Sequence, residues 1–162
     1  MSAQEAMIAD AVAAELNAGG QSWTAALVNP AVRTWSPWYA ADAGALDTLR
    51  VSVVATRIAQ QEDADRAGTR LYGYEVWIDF QQRVAIDTTT GLPTTAAVDA
   101  VALTADQIHQ GFNALNDDAH TLATLPGWHV VRAEREMLFD ENVLYSEHVF
   151  VTAIKLTVQG FR

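Results

Sequence analysis

Tyr72, Tyr74, Val76, Ile78 and Phe80 alternate with Gly73, Glu75, Trp77, Asp79 and Gln81. Successive side chains of an extended chain point to opposite faces, so this spacing predicts a strand over residues 70–82. The same period returns at the chain's end, V-F-V-T-A-I-K-L-T-V-Q-G-F-R over residues 149–162. There Phe150, Ile154, Leu156 and Val158 share one face with Thr152 between them, and Lys155, Thr157 and Gln159 lie on the other. A strand of this length at a terminus is expected to be paired inside a sheet, because an untied end frays. Leu49, Val51 and Val53 predict another strand over residues 46–55, and residues 128–136 a further one after the turn Pro126-Gly127. Residues 138–145 carry the turn Asp140-Glu141-Asn142, so the last strand is expected to begin near Ser146.

Two segments have a helical period instead. Residues 2–18 open with Ser2 and, three residues on, Glu5, the capping-box spacing in which each side chain satisfies an orphan donor of the first turn. Ala3, Met7, Ala11, Ala14 and Ala18 make a small-residue stripe, joined by Ile8, Val12 and Leu16, and Gly19-Gly20 is a stop signal. Val98, Val101, Ala105, Ile108, Phe112 and Leu115 recur at three and four residues, an amphipathic helix ending near Asn116. Asp99 sits in its first turns, where the helix dipole favours acid. Gly111 inside it costs about 1 kcal/mol against alanine, which suggests a close packing contact. Residues 22–40 hold Trp23, Trp35, Trp38 and Tyr39, but Pro30 and Pro37 restrict pairing to a short edge strand or two. Residues 58–69 and 87–95 read as polar loops. The expected fold is α+β: one mostly antiparallel sheet of four to six strands covered by two helices, in a single domain.

Composition narrows the function classes. The chain of 162 residues is half hydrophobic, which excludes a disordered polymer and fits one domain. Its net charge is −10, and Lys155 is the only lysine. Binding nucleic acid phosphates needs clustered bases, and the arginines here are scattered. An acidic surface repels nucleic acid instead. No apolar run approaches the ~20 residues that span a bilayer. The start, M-S-A-Q-E, lacks the basic opening of a secretory signal, so the cytosol is the expected compartment. Without cysteine there is neither a disulfide framework nor a thiolate metal site.

Chemistry-bearing motifs are sparse. His109, His120, His129 and His148 form no i, i+4 pair and no H-E-x-x-H. Each is expected to be hydrogen-bonded or half-exposed, with His148 on the inward parity of the last strand. Glu62-Asp63-Asp65, Asp117-Asp118, Glu134-Glu136 and Asp140-Glu141 lack calcium-loop spacing. Glu134 and Glu136 share a strand face, but Arg132 and Arg135 accompany them, so a solvated face is the simpler account. No G-x-S-x-G elbow and no phosphate loop occurs. No enzyme, cofactor or metal is expected.

The pattern resembles the tail-terminator family of long-tailed bacteriophages, neck proteins that cap the finished tail tube. Four segments carry the likeness: I-A-D-A-V-A-A-E-L-N-A-G at residues 8–19; R-T-W-S-P-W-Y at 33–39 with L-D-T-L-R-V-S-V-V at 46–54; an arginine ahead of Y-E-V-W-I-D-F at 74–80; and V-F-V-T-A-I-K-L-T-V at 149–158. Each is a common pattern alone; their order and the chain's size make the resemblance, which covers most of the chain. It implies a homo-oligomeric ring, usually of six subunits, stacked on the tail-tube protein. Such a ring stops tube growth and offers a surface to the head-connector (stopper) protein, with DNA passing through its lumen unread. It also implies a place in the virion neck after assembly in the host cytoplasm, and no catalytic residues.

On length and polarity, the two loops are the expected neighbour contacts, with Glu62, Asp63, Asp65, Arg66, Arg70 and Asp87. Trp77, an aromatic on the outward parity of its strand, joins them. Deleting residues 60–67 is expected to leave the fold intact and to impair assembly. Two other readings stand beside this one: another head–tail joining or tail-completion protein, and a small-molecule-binding or enzymatic α+β domain. The last would need a deep pocket lined by Trp23, Trp35, Trp38, Tyr72 and Tyr74 with a buried acid.

Overall fold

The computed structural model describes residues 2–18, 27, 29–35, 46–57, 71–113, 120–137 and 141–161. Helix α1 (Ala3–Ala18) is followed by strands β1 (Val32–Arg33), β2 (Arg50–Arg57) and β3 (Leu71–Arg83), then by helix α2 (Thr95–Asn113). Strands β4 (His120–Thr121) and β5 (Trp128–Met137), the short helix α3 (Glu141–Glu147) and strand β6 (Val149–Phe161) complete it. The strands form one sheet in the order β1-β2-β3-β6-β5-β4. β1 runs parallel to β2, and every other pairing is antiparallel. The α+β expectation holds, with a third helix in addition.

The terminal strand lies in the middle of the sheet. All thirteen residues of β6 pair with β3, and β5 pairs along its other edge. β5 is bulged between Val130 and Arg132 and again between Arg135 and Met137. Such bulges bend a strand and spoil it as a template for a further one.

Helices α1 and α2 cover one face, here called the helix face. Ile8, Val12 and Leu16 of α1 and Val101, Ala105, Ile108 and Phe112 of α2 are buried there. They meet Val51, Val53, Tyr74, Val76, Ile78, Phe80, Phe150, Ile154, Leu156 and Val158. The capping box forms: Ser2 N donates to Glu5 Oε2, and Glu5 N donates to Ser2 Oγ at 3.3 Å. The buried side of α1 is rotated from the expected one. Ala9 and Ala13 join Ile8, Val12 and Leu16, whereas Met7 is 54 % exposed and Ala3 and Ala18 are exposed. A stripe of alanines offers little apolar area, so the branched side chains set which side docks.

Three boundaries differ from the sequence pattern. Residues 46–49 form a turn and bend rather than the start of β2. Residues 141–147 are helical, where a turn and the onset of β6 were expected. α3 docks at the sheet's end, with Leu144 in the main core and Val143 against a second cluster. His148, which links α3 to β6, is exposed in the left-handed region at φ 57°, not inward on the strand. The Gly19-Gly20 stop and the end of the second helical pattern fall outside the described residues.

Candidate functional site

The second face of the sheet is built in rows by the strand register. At one end Val149 and Val151 of β6 pack with Leu46 into a small apolar cluster. The next row is polar yet buried. Ser52 of β2 is directly opposite Asp79 of β3, which is opposite Ala153 of β6. Ser52 is 0 % and Asp79 5 % exposed. Beyond it come Val54, Trp77, Lys155 and Glu134, and then Thr56, Glu75, Thr157 and Arg132. One face thus runs from apolar through buried polar to open and charged.

In the charged part, Glu134 and Glu136 are paired with cations. Lys155 Nζ lies 3.5 Å from Glu134 Oε2 and bonds Glu136 Oε1. It also sits 5.8 Å from the centre of the Trp77 ring, a cation–π contact. Arg132 Nη2 meets the other oxygen of Glu134 at 2.6 Å. The bulge at residues 135–137 lets Glu134 and Glu136 reach the same ammonium. The bond to Glu136 holds Lys155 above its ordinary value of 10.5, against some desolvation, with Glu136, Glu134 and Glu75 adding their charge. These carboxylates are spent on cations and do not converge on an open position. Among the described residues no group of His, Cys, Asp and Glu is arranged to hold a metal ion. The arrangement is a half-buried patch in which Trp77 lies beside Lys155.

Asp79 has a different environment. Its Oδ2 and the neighbouring Ser52 Oγ are buried without a hydrogen-bond partner. Burial raises the carboxyl from 3.8 to about 7, because a charge removed from water without a counter-ion is disfavoured. The alternation of β3 placed Asp79 on the outward parity and hid this. The signal lay in β6, where Val149, Val151 and Ala153 are apolar on the same parity as Lys155, so the outward face is not solvent along its whole length.

Of the expected contact residues, Glu62, Asp63, Asp65, Arg66 and Arg70 lie outside the described residues. Trp77 is half-buried beside Lys155. Asp87 is held in a turn of its own: Oδ1 accepts Thr89 N at 2.7 Å and Thr90 N at 3.4 Å, and its backbone carbonyl accepts Gly91 N at 2.7 Å. The Thr89 N–H lowers the Asp87 carboxyl below 3.8. Gly91, at φ 69°, supplies the left-handed residue that closes the turn. Trp77 and Asp87 are not joined by any described contact. Next to the turn, Leu92, Pro93, Thr95, Val98, Asp99, Leu144 and Tyr145 line a shallow groove of 280 Å³.

Two histidines have structural partners. His109 Nε2 is 3.3 Å from Ala133 O and 2.9 Å from Asn113 Nδ2, and His129 Nδ1 is 2.9 Å from Thr121 Oγ1. The small-molecule alternative would need the aromatics to line a pocket, whereas core and subunit contact are the preferred reading of them. Tyr74 is core, packed edge-on to Trp128 at 5.5 Å, and Trp35 is 75 % exposed. Trp23 and Trp38 lie outside the described residues. No helix among the described residues is long and apolar enough to cross a membrane. No model of a known protein family matches the chain, and no curated protein sequence matches it either.

Proposed function

We propose that this chain is a structural subunit of the tail-terminator type from a long-tailed bacteriophage. In this reading a ring of copies, six by resemblance, caps the tail tube, ends its growth and joins it to the head connector. The subunit assembles in the host cytoplasm and resides in the virion neck. The observation that carries the reading is the succession of the resembling segments within one connected unit. α1 packs on β2, β2 pairs with β3, and β3 pairs with β6 along its full length. The net charge of −10 fits a lumen through which DNA slides without being held. The half-exposed second face around Trp77 and Lys155 supplies a surface for a neighbouring protein. No enzymatic step is part of the reading.

The test mixes the purified protein with polymerising tail-tube protein encoded in the same genome and images the product by electron microscopy. Tubes that stop growing and carry one extra ring at an end are the expected result. Tubes that grow bare and unhindered overturn the reading. Tubes that keep growing but attach to connectors at their ends point to a joining protein of the same neck.

A further inference from the structure

The row Ser52–Asp79–Ala153 belongs to neither the helix-face core nor the open charged patch. It lies inside the sheet, on central strands, at the border between the small apolar cluster and the Trp77–Lys155 row. Directly opposed residues of antiparallel strands have Cβ atoms ~5 Å apart, so a protonated Asp79 can donate its O–H across the strands to Ser52 Oγ. Both atoms lack a partner at present.

Among the described residues, the charged and titratable groups around this row do not neutralise Asp79. On β3, Glu75 shares the face and is itself acidic. On β6, Lys155 is bonded to Glu136 and close to Glu134 of β5, and Arg132 of β5 also meets Glu134. On β2, Arg50 is opposite Gln81, one row away, and makes contacts of its own. Beyond the apolar cluster, Arg83 is 3.4 Å from Asp47, and Glu147 and His148 are exposed at the end of α3.

The geometry points to a proton-controlled latch: the second face closes over a neutral Asp79 set opposite Ser52, with no counter-charge and no hydrogen bond to hold it ionised, and ionisation of that carboxyl loosens the face. The inference is independent of the phage reading. Among the described residues, the apolar cluster beside the row has three buried members, Leu46, Val149 and Val151, against twenty-eight in the main core. Hydrating an ionised Asp79 is therefore easier by local opening on this side than by parting the helix face.

The sign follows from linkage. In the closed state the carboxyl titrates at about 7, and in an open, hydrated state near the ordinary 3.8. Between those values the closed state holds a proton that the open state has lost. The opening equilibrium then rises up to tenfold per pH unit through this window and levels off above it. Latch stability is fully present at acid pH and lost as pH rises to about 7.

Two measurements test it on the full chain. The first follows the Asp79 side-chain carboxyl by carbon-13 NMR, assigned by its loss in Asp79→Asn. A midpoint near 7 is expected, and a midpoint near 4 overturns the latch. The second compares the amide protection factor of Arg83, whose N–H donates to Leu46 O of the apolar cluster, between pH 5 and 7.5, in wild type and Asp79→Asn. Protection in wild type is expected to fall by about fiftyfold while α1 and α2 change far less, and Asp79→Asn should hold its protection across the range. Parallel pH profiles in the two proteins overturn the latch, as does a wild-type loss spread equally over α1 and α2. If Asp79→Asn does not fold, the wild-type titration decides alone.

Discussion

The two faces of this sheet use alternate residues of the same strands and reach different ends. On the helix face β2, β3 and β6 present Val51, Val53, Val76, Ile78, Phe80, Ile154, Leu156 and Val158, all buried under α1 and α2. On the second face the same strands present Ser52, Glu75, Trp77, Asp79, Lys155 and Thr157, with burial decreasing from the Val149–Val151 end toward Arg132. A largely apolar face, whose polar members here include Thr152 and Arg135, provides most of the stability. A graded face leaves polar groups at its boundary whose protonation and pairing respond to conditions. In this molecule both the Trp77–Lys155 patch, proposed above as a contact surface, and the Ser52–Asp79 row lie on the graded face.

Substitutions in the helix-face core should cost most. Phe112→Ala removes a buried ring of α2 that is 1 % exposed, at an expected cost of about 3–5 kcal/mol. Val151→Ala on the second face removes two methyl groups from the small cluster with Leu46 and Val149, at about 1–3 kcal/mol. Urea midpoints at acid pH, where Asp79 is neutral, measure both. Equal losses would mean that the faces contribute alike and that the asymmetry is only one of composition.

Gly160 tests where the helix face ends. It is directly opposite Trp128, and an added Cβ would come within 2.7 Å of Trp128 Cε3. That indole is held edge-on by Tyr74 and cannot move away freely. Gly160→Ala is expected to cost about 1–3 kcal/mol by overpacking and to change the near-ultraviolet signal of Trp128. An unchanged stability and spectrum would show the indole to be loosely packed. Asp106→Asn is a weaker perturbation. It breaks the ion pair with Arg135, whose guanidinium also lies 3.5 Å from Thr152 Oγ1 beneath the helix face. Asp106 is 45 % exposed, so water replaces part of the interaction and the loss should be about 1 kcal/mol.

The helix face was legible in the sequence because its signals repeat. Two strands carry five-fold alternation, α2 keeps its period from Val98 to Phe112, and Ser2 and Glu5 mark the start of α1. The central position of β6 was not legible, because periodicity gives a strand's faces but not its neighbours. α3 was missed because E-N-V-L-Y-S-E has turn residues at its start and only Val143 and Leu144 to dock. The second face was misread for a related reason: outward parity was equated with solvent. Asp79 is polar in type and buried in fact, and only its long-range neighbours on β2 and β6 make it so. The contact loop at residues 58–69 rests on sequence alone, whereas Asp87, taken as a contact, spends its carboxylate on the Thr89 and Thr90 amides.

The smallest expected effect lies at the open end of the graded face. Lys155→Met removes the cation that Glu134 and Glu136 share but keeps an apolar stem against Trp77. The pairs are half-buried but still reached by water and salt, so the urea midpoint at neutral pH should move little, and less still at high salt. The pH dependence is more telling. The folded state holds the Lys155 proton more tightly than the ordinary value of 10.5, so any stabilisation is present below that value and is lost as pH rises past it. The gap between wild type and Lys155→Met should therefore close on the alkaline side, whereas the gap involving Asp79→Asn changes on the acid side. If instead Lys155→Met lowers stability as much as Val151→Ala, the charged patch is part of the folded core. The second face would then be one cooperative unit with no gradient across it.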